Sequence, residues 1–151
     1  AGYRLLAEMV KMRYGYDFWK ETDPVVRTET GKPYLRLHPE LSFNISHSGD
    51  WIACALGDAP VGLDIQYHRE IKVEQTARKI CNPEEWKLFQ QADTERGKKD
   101  VLFQIWTKKE SYLKFTGEGI RRELCEISYE ECSFYQLTMP DGYSGMICVG
   151  K

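Results

Sequence analysis

The sequence predicts an α+β fold in which an antiparallel sheet packs against helices, and three observations carry that prediction. Apolar and polar residues alternate with period two in short runs between residues 41 and 66, with turn residues between the runs. Apolar residues at three-and-four spacing flank that block, near the start of the chain and again over residues 100–115. No repeat, low-complexity tract or linker interrupts the 151 residues, so the chain reads as one unit able to bury a core.

Taken in order, Leu5, Leu6, Met9 and Val10 recur at helical spacing and Gly15 sits where a helix stops, which predicts a helix over residues 3–14 with Arg4 in its opening turn. After Asp23-Pro24, Val25 to Glu29 has strand character, and Gly31-Lys32-Pro33 supplies a turn. Leu41, Phe43 and Ile45 alternate with Ser42, Asn44 and Ser46. A Ser48-Gly49-Asp50 turn then leads into Trp51–Leu56, and Gly57-Asp58 into Val61–Gln66, the pattern of an antiparallel meander. Val73, Ala77 and Ile80 indicate a helix. Asn82-Pro83-Glu84-Glu85 opens another, with a capping residue, a first-turn proline and acids. Polar residues 92–100 read as a loop or frayed end, followed by a helix from about Asp100 to Phe115 that stops near Gly117 and Gly119. Strands at Phe134–Thr138 and Tyr143–Val149, turned at Pro140-Asp141-Gly142, close the chain.

Lys and Arg total 21 against 23 acidic residues, so a net charge of -2 offers no global attraction for nucleic acid or an anionic membrane, and any anion site must be local. The five cysteines are odd in number and form no C-x-x-C pair, which argues against a zinc site or disulfide framework and for a reducing, cytoplasmic setting. No apolar run is long enough to span a membrane and no leader is evident.

Within the last long helix, Phe103, Trp106, position 110 and Leu113 form one stripe, and position 110 is Glu110. In the strand VGLDIQ, Asp64 shares a face with Gly62 and Gln66, a flat surface with room for a hydrated ion. Paired with Glu110, Asp64 would suit Mg²⁺, which takes one or two protein carboxylates and completes its shell with waters and substrate phosphates. The same residues also fit plain roles, Asp64 as a solvated sheet residue and Glu110 as the i+4 partner of Lys114. In FNISHSGDW, a turn through Ser46-His47-Ser48-Gly49 offers N–H groups, hydroxyls and an imidazole to a phosphate, or simply bonds its own backbone. Lys32, held between Gly31 and Pro33, projects from a rigid turn toward an anion or toward water. The basic residues Lys108, Lys109, Lys114, Arg121 and Arg122 ordinarily make a solvated face.

In this order and at these intervals, GKP, N-x-S-H-S, V-G-x-D and W-T-x-K-E-S-x-x-K resemble the signature series of the 4'-phosphopantetheinyl transferases, specifically the larger surfactin-synthetase-activating type. The resemblance runs from about Arg4 to Gly119. It implies transfer of the 4'-phosphopantetheine arm of coenzyme A to a serine of an acyl or peptidyl carrier protein, with Mg²⁺, releasing 3',5'-adenosine bisphosphate. By motif it implies Asp64 and Glu110 as metal ligands, with Gln66 where many members carry a second acid. Arg4, Lys32, Pro33, Ser46 and His47 are implied coenzyme A contacts. Lys114 is the lysine on the pyrophosphate, and Glu85 matches an acid that helps activate the carrier serine, with Glu110 the other candidate for that proton. Carrier proteins are acidic near their modified serine, which nominates Arg121, Arg122 and the Lys108-Lys109 pair as contacts.

The larger type is a pseudo-twofold pair of halves with coenzyme A and Mg²⁺ between them. This chain lacks an initiating Met and starts inside a helical pattern, so most of the first half is expected to be missing: residues 1–58 read as its end and 59–151 as the second half. A monomer is expected, with self-association, as in the short trimeric carrier-protein-synthase type, the alternative. The second functional reading is a truncated or diverged module that binds coenzyme A or a carrier protein without turnover.

Overall fold

A computed structural model describes residues 1–119 and 123–151. Helix α1 (Gly2–Tyr14) ends on Gly15 in the left-handed conformation, and a 3-10 turn at Phe18–Lys20 leads to the short hairpin β1 (Val25–Arg27) and β2 (Pro33–Leu35). Strands β3 (Ser42–Ser48) and β4 (Trp51–Gly57) form a second antiparallel hairpin. Strand β5 (Val61–Tyr67) follows, then α2 (Val73–Ile80), α3 (Pro83–Gln90), the long α4 (Glu95–Thr116), β6 (Cys132–Gln136) and β7 (Tyr143–Gly150). The α+β class holds. The meander does not: β5 makes no ladder with β4 and instead edges a three-stranded antiparallel sheet in the order β5-β7-β6.

The reason lies in the side chains of β3. Ser42, Asn44, Ser46 and Ser48 share one side of that strand, and their oxygens accept the N–H groups of Val61, Leu63, Ile65 and Tyr67 at 3.1, 3.0, 3.0 and 2.9 Å. The offset is constant, so β3 and β5 run parallel, joined by side chain to backbone where a sheet would be joined backbone to backbone. Alternate N–H groups of β5 point to its two edges; β7 takes one set and this ladder the other, which leaves no bare edge on β5. The predicted Ser46–Gly49 turn is therefore strand as far as Ser48, and the chain reverses at Gly49-Asp50.

Each face of β5 has its own cover. Val61 and Leu63 pack toward Ala53 and Ala55 of β4 and toward Ile147 and Val149 of β7. The opposite face, with Gly62, Asp64 and Gln66, lies under α4. A Cβ at Gly62 would overlap the Ser111 carbonyl and the Phe115 nitrogen, so glycine here admits a helix backbone. The flat, solvent-open surface expected around Asp64 is thus closed, and Asp64 is 2% exposed.

Helix α4 begins at Glu95, earlier than expected, because Thr94 accepts the Gly97 N–H at 2.9 Å and caps a first turn whose polar residues need no core. Its first half packs with α2 and α3 around Leu102, Ile105 and Phe89; its second half presses Tyr112 and Leu113 onto Cys148. The capping box at Asn82 and Glu85 starts α3 as predicted. The first strand is shorter than predicted, stopping at Arg27. Helix α1 lays Leu6, Ala7 and Val10 against Phe43, Leu41, Leu35 and Phe18, a separate cluster. Among the described residues no helix is long and apolar enough to cross a membrane.

His68, just past β5, stacks on Phe103 of α4 with ring centroids 4.5 Å apart and lies 3.2 Å from Asp100. Burial holds its imidazole below the usual 6.5, against the opposing pull of Asp100. Below about pH 6.5 the unfolded chain takes up a proton that the fold resists, so this contribution is full above that pH and is lost as pH falls toward the folded value. Urea titrations should show the stability gap between wild type and His68→Gln narrowing as pH falls from 7 to 5. Gly62→Ala should cost at least about 2 kcal/mol by the same measurement, because the overlap is with backbone and no rotamer relieves it.

Candidate functional site

The close approach at Gly62 sets Glu110 and Lys114, on α4, over Asp64 on β5. Lys114 Nζ pairs with Asp64 Oδ1 at 2.8 Å and also donates to Ser46 Oγ at 3.2 Å and to the Leu63 carbonyl at 3.0 Å. The i+4 alternative, Glu110 with Lys114, is not the pairing found. Gln66 Nε2 donates to the other oxygen of Asp64 at 3.1 Å. Glu110 is half-buried, and its pKa is raised by that burial first and by the charge of Asp64 second, with Lys114 and the Trp106 indole opposing. Glu110 therefore breaks its apolar stripe facing a second carboxylate and a lysine.

These residues border a cleft of about 260 Å³ that Lys32, Pro33, Asn44, Glu110 and Lys114 line, with Gly117 and Gly119 at its rim. The β1–β2 turn forms one wall. Lys32 Nζ donates to the Phe115 carbonyl at the C-terminal end of α4 at 2.8 Å, a favourable place for a cation, and burial lowers its pKa. The cleft thus holds two lysines, one carboxylate at its surface and a second beneath it.

Several expected site residues stand elsewhere. Ser46 is 4% exposed and sits in the β3–β5 seam. Its hydroxyl accepts from Ile65 N and Lys114 Nζ and donates to Asp64 Oδ1 at 3.3 Å, which uses its one donor and two acceptors and leaves nothing for a phosphate. His47 is exposed on β3 and does not line the cleft. Arg4 is exposed on α1, whose packing partners are β3 and β4, and is likewise outside it.

Glu85 is also apart. One oxygen accepts the Asn82 N–H and pairs with Lys109 Nζ, each at 2.8 Å, while the other accepts the Tyr129 hydroxyl at 3.0 Å. Burial and the neighbouring carboxylate push the Tyr129 hydroxyl pKa up, so it stays a donor. Lys109, fully buried and also bonded to the Leu124 carbonyl, cannot serve as a partner contact beside Lys108. Arg121 and Arg122 lie outside the described residues.

Sequence reasoning passed over two features: the Ser42–Asn44–Ser46–Ser48 ladder and the burial of Lys109. The ladder had a signal, polar residues at four successive alternate positions of a strand whose other face is apolar. The Lys109 pair had none, since its partner is 24 residues earlier on another helix.

Among the described residues no set of three or more His, Cys, Asp or Glu side chains is grouped to hold a metal. The donors that do converge, the Asp64 and Glu110 carboxylates, are hard oxygen ligands of the kind Mg²⁺ takes when phosphate and water fill the remaining positions, while Gln66 turns its amide nitrogen to Asp64. The donor chemistry fits that ion. Fold and cleft together define an α+β protein in which one carboxylate and two lysines line an open cleft above a second, buried carboxylate.

The chain belongs to the 4'-phosphopantetheinyl transferase superfamily, whose family model matches residues 60–142. It is similar to a 4'-phosphopantetheinyl transferase of Bacillus subtilis, 32% identical over 76% of this chain and 51% of that protein. It is also similar to 4'-phosphopantetheinyl transferase psf-1 of Bacillus pumilus, 37% identical over 74% of this chain and 44% of that protein. The chain therefore spans about half the length of these relatives. The solved holo-[acyl-carrier-protein] synthase of Thermotoga maritima aligns over 62% of this chain and 63% of its own, at 14% identity and a TM-score of 0.49.

The Asp64–Lys114 pair has a direct test. Asp64 is shielded from water, so removing its cation strands a buried charge, and Lys114→Met should destabilise by about 3 kcal/mol. The double variant Asp64→Asn/Lys114→Met should recover part of that loss in urea unfolding.

Proposed function

We propose that this chain carries the reaction site of an enzyme that moves the 4'-phosphopantetheine arm of coenzyme A onto a serine of an acyl or peptidyl carrier protein, releasing 3',5'-adenosine bisphosphate. The observation that carries the reading is the convergence of Glu110 and Lys114 over Asp64 at the mouth of a lysine-lined cleft. Asp64 and Glu110, with Gln66 beside them, are the residues that would hold Mg²⁺. When bound, the ion would neutralise diphosphate charge and act as a Lewis acid on phosphoryl oxygen.

The chain's own groups supply the rest. Lys32 and Lys114 draw a polyanionic ligand into the cleft, and Lys114, released from Asp64, can follow charge onto the leaving phosphate. The carrier serine must lose a proton as it attacks. Glu110, whose proton affinity burial and Asp64 raise, suits that task better than Glu85, whose carboxylate is spent on Asn82, Lys109 and Tyr129. Pro33 shapes the cleft wall. We assign Ser46 to positioning Asp64 and Lys114, and give Arg4 and His47 no role within this cleft.

The architecture is part of the proposal. Helix α1 lies over β3–β4 and α4 over β5–β7, two helix-on-strand units that meet along the parallel β3–β5 seam. This supports reading residues 1–58 as the end of one half and 59–151 as the other. The five free cysteines fit a reducing, cytoplasmic setting.

Incubation with coenzyme A, Mg²⁺ and apo carrier proteins should raise the carrier mass by one phosphopantetheine. Glu110→Gln should slow that gain by roughly a hundredfold or more with little change in melting temperature. No mass gain on several acyl and peptidyl carriers overturns the transferase reading. Stabilisation by coenzyme A without transfer favours a binding module, a reading the half-length match also accommodates.

A further inference from the structure

We propose that Cys132 and Cys148 are a redox-responsive dithiol, a modification site at which a low-molecular-weight disulfide such as glutathione disulfide joins β6 to β7 and shifts the Lys32 wall of the cleft. The covalent step stands without the transferase reading; its effect on coenzyme A rests on that reading.

The sheet register brings the two thiols together. Cys148 of β7 pairs with Gly62 of β5 on one side and with Phe134 of β6 on the other. Paired residues share a face of a sheet, so Cys148 lies with Gly62 under α4, and Cys132, two residues before Phe134, lies on that face too. Directly opposite Cys132 stands Gly150, which puts no side chain in the way. Cys132 therefore leans one step along β7, where its thiol and that of Cys148 are hydrogen-bonded, and both are free thiols.

Access differs between them. Cys148 is 0% exposed, whereas Cys132 is half-buried and meets solvent. Burial pushes the Cys148 pKa up and the Cys132 hydrogen bond adds to it, while the charge of Lys32 opposes, so Cys148 is the slower of the two to react. The order of steps follows. The Cys132 thiolate attacks one sulfur of the small disulfide, that S–S bond breaks, and one small thiol leaves with the proton that Cys132 gave up. The Cys148 thiolate then attacks the Cys132 sulfur and expels the second small thiol, which takes the Cys148 proton. The protein thiols together lose two electrons, and the small disulfide gains them.

Diagonal neighbours across an antiparallel pair stand about 7–8 Å apart. That is the long limit of what a disulfide spans, so closing the bond draws β6 and β7 together. A bond formed against such resistance is readily reduced, which makes the step reversible. The packing shows what moves with it. Phe115 of α4 rests on this cluster, its ring 3.3 Å from the point where Gly150 would carry a Cβ. The Phe115 carbonyl accepts Lys32 Nζ at 2.8 Å, and Lys32 and Cys148 are near enough for each to act on the charge of the other. The dithiol thus lies beneath the lysine that ties the β1–β2 turn to α4.

Treatment of the protein with glutathione disulfide, alkylation of the remaining thiols and peptide mapping should find Cys132 joined to Cys148, reversed by dithiothreitol. Cys132 should appear first as its glutathione adduct, and Cys148→Ser should stop at that adduct. In wild type, ¹H–¹⁵N spectra should show the Lys32 and Phe115 backbone amides shifted in the oxidised form. With Mg²⁺ present, calorimetry should find coenzyme A bound about threefold to thirtyfold more weakly by the oxidised than by the reduced protein. No Cys132–Cys148 bond under excess glutathione disulfide overturns the inference, as does a bond that leaves those amide signals and the affinity unchanged. Failure of the reduced protein to bind coenzyme A overturns the transferase reading alone, because mapping and spectra still decide on the dithiol.

Discussion

At Gly62, strand and helix touch backbone to backbone, and the chemistry of the cleft follows from that contact. A side chain there would meet the Ser111 carbonyl and the Phe115 nitrogen, so the helix would have to lift away. Two residues further along β5 stands Asp64, and the α4 residues flanking the contact are Glu110 and Lys114. An extended strand carries every second side chain onto one face, and a helix returns to one face every three or four residues. With the crossing fixed at Gly62, those two periodicities bring one strand residue under two helix residues.

The seam on the other side of β5 keeps that strand in place. Four side chains of β3 satisfy four N–H groups that a free edge would leave to water, and the third of them, Ser46, also bonds Asp64 and Lys114. Strand pairing and site assembly thus share atoms. The charges balance in the same place: Lys114 neutralises Asp64, while Glu110 keeps an elevated proton affinity beside them.

Stops, caps and turns set by neighbours in sequence were readable, whereas the start of α4 and the bounds of β1 and β6 were not. Helix stops at Gly15 and Gly117, the Asn82 capping box and the Pro140-Asp141-Gly142 turn depend on neighbours in sequence, and each stands where the residues indicated. The motif residues Asp64, Glu110, Lys114, Lys32 and Pro33 do gather about one cleft. What misled was the assumption that alternating strands in series pair in series. The polar face of β3 looked like a ligand-binding turn because hydroxyls and amides suit phosphate and backbone equally, and only the position of β5 decides between them. Glu85 and Lys109 misled for a related reason, each being a charged residue whose partner is remote in sequence.

The measurement that bears most directly on this account is a crystal structure determined with coenzyme A and Mg²⁺ together. The account predicts an ion coordinated jointly by Asp64 and Glu110, with Lys114 Nζ moved from Asp64 onto a phosphate oxygen. An ion bound elsewhere, or coenzyme A seated in the cleft while Lys114 keeps its bond to Asp64 and Glu110 touches no metal, would contradict it.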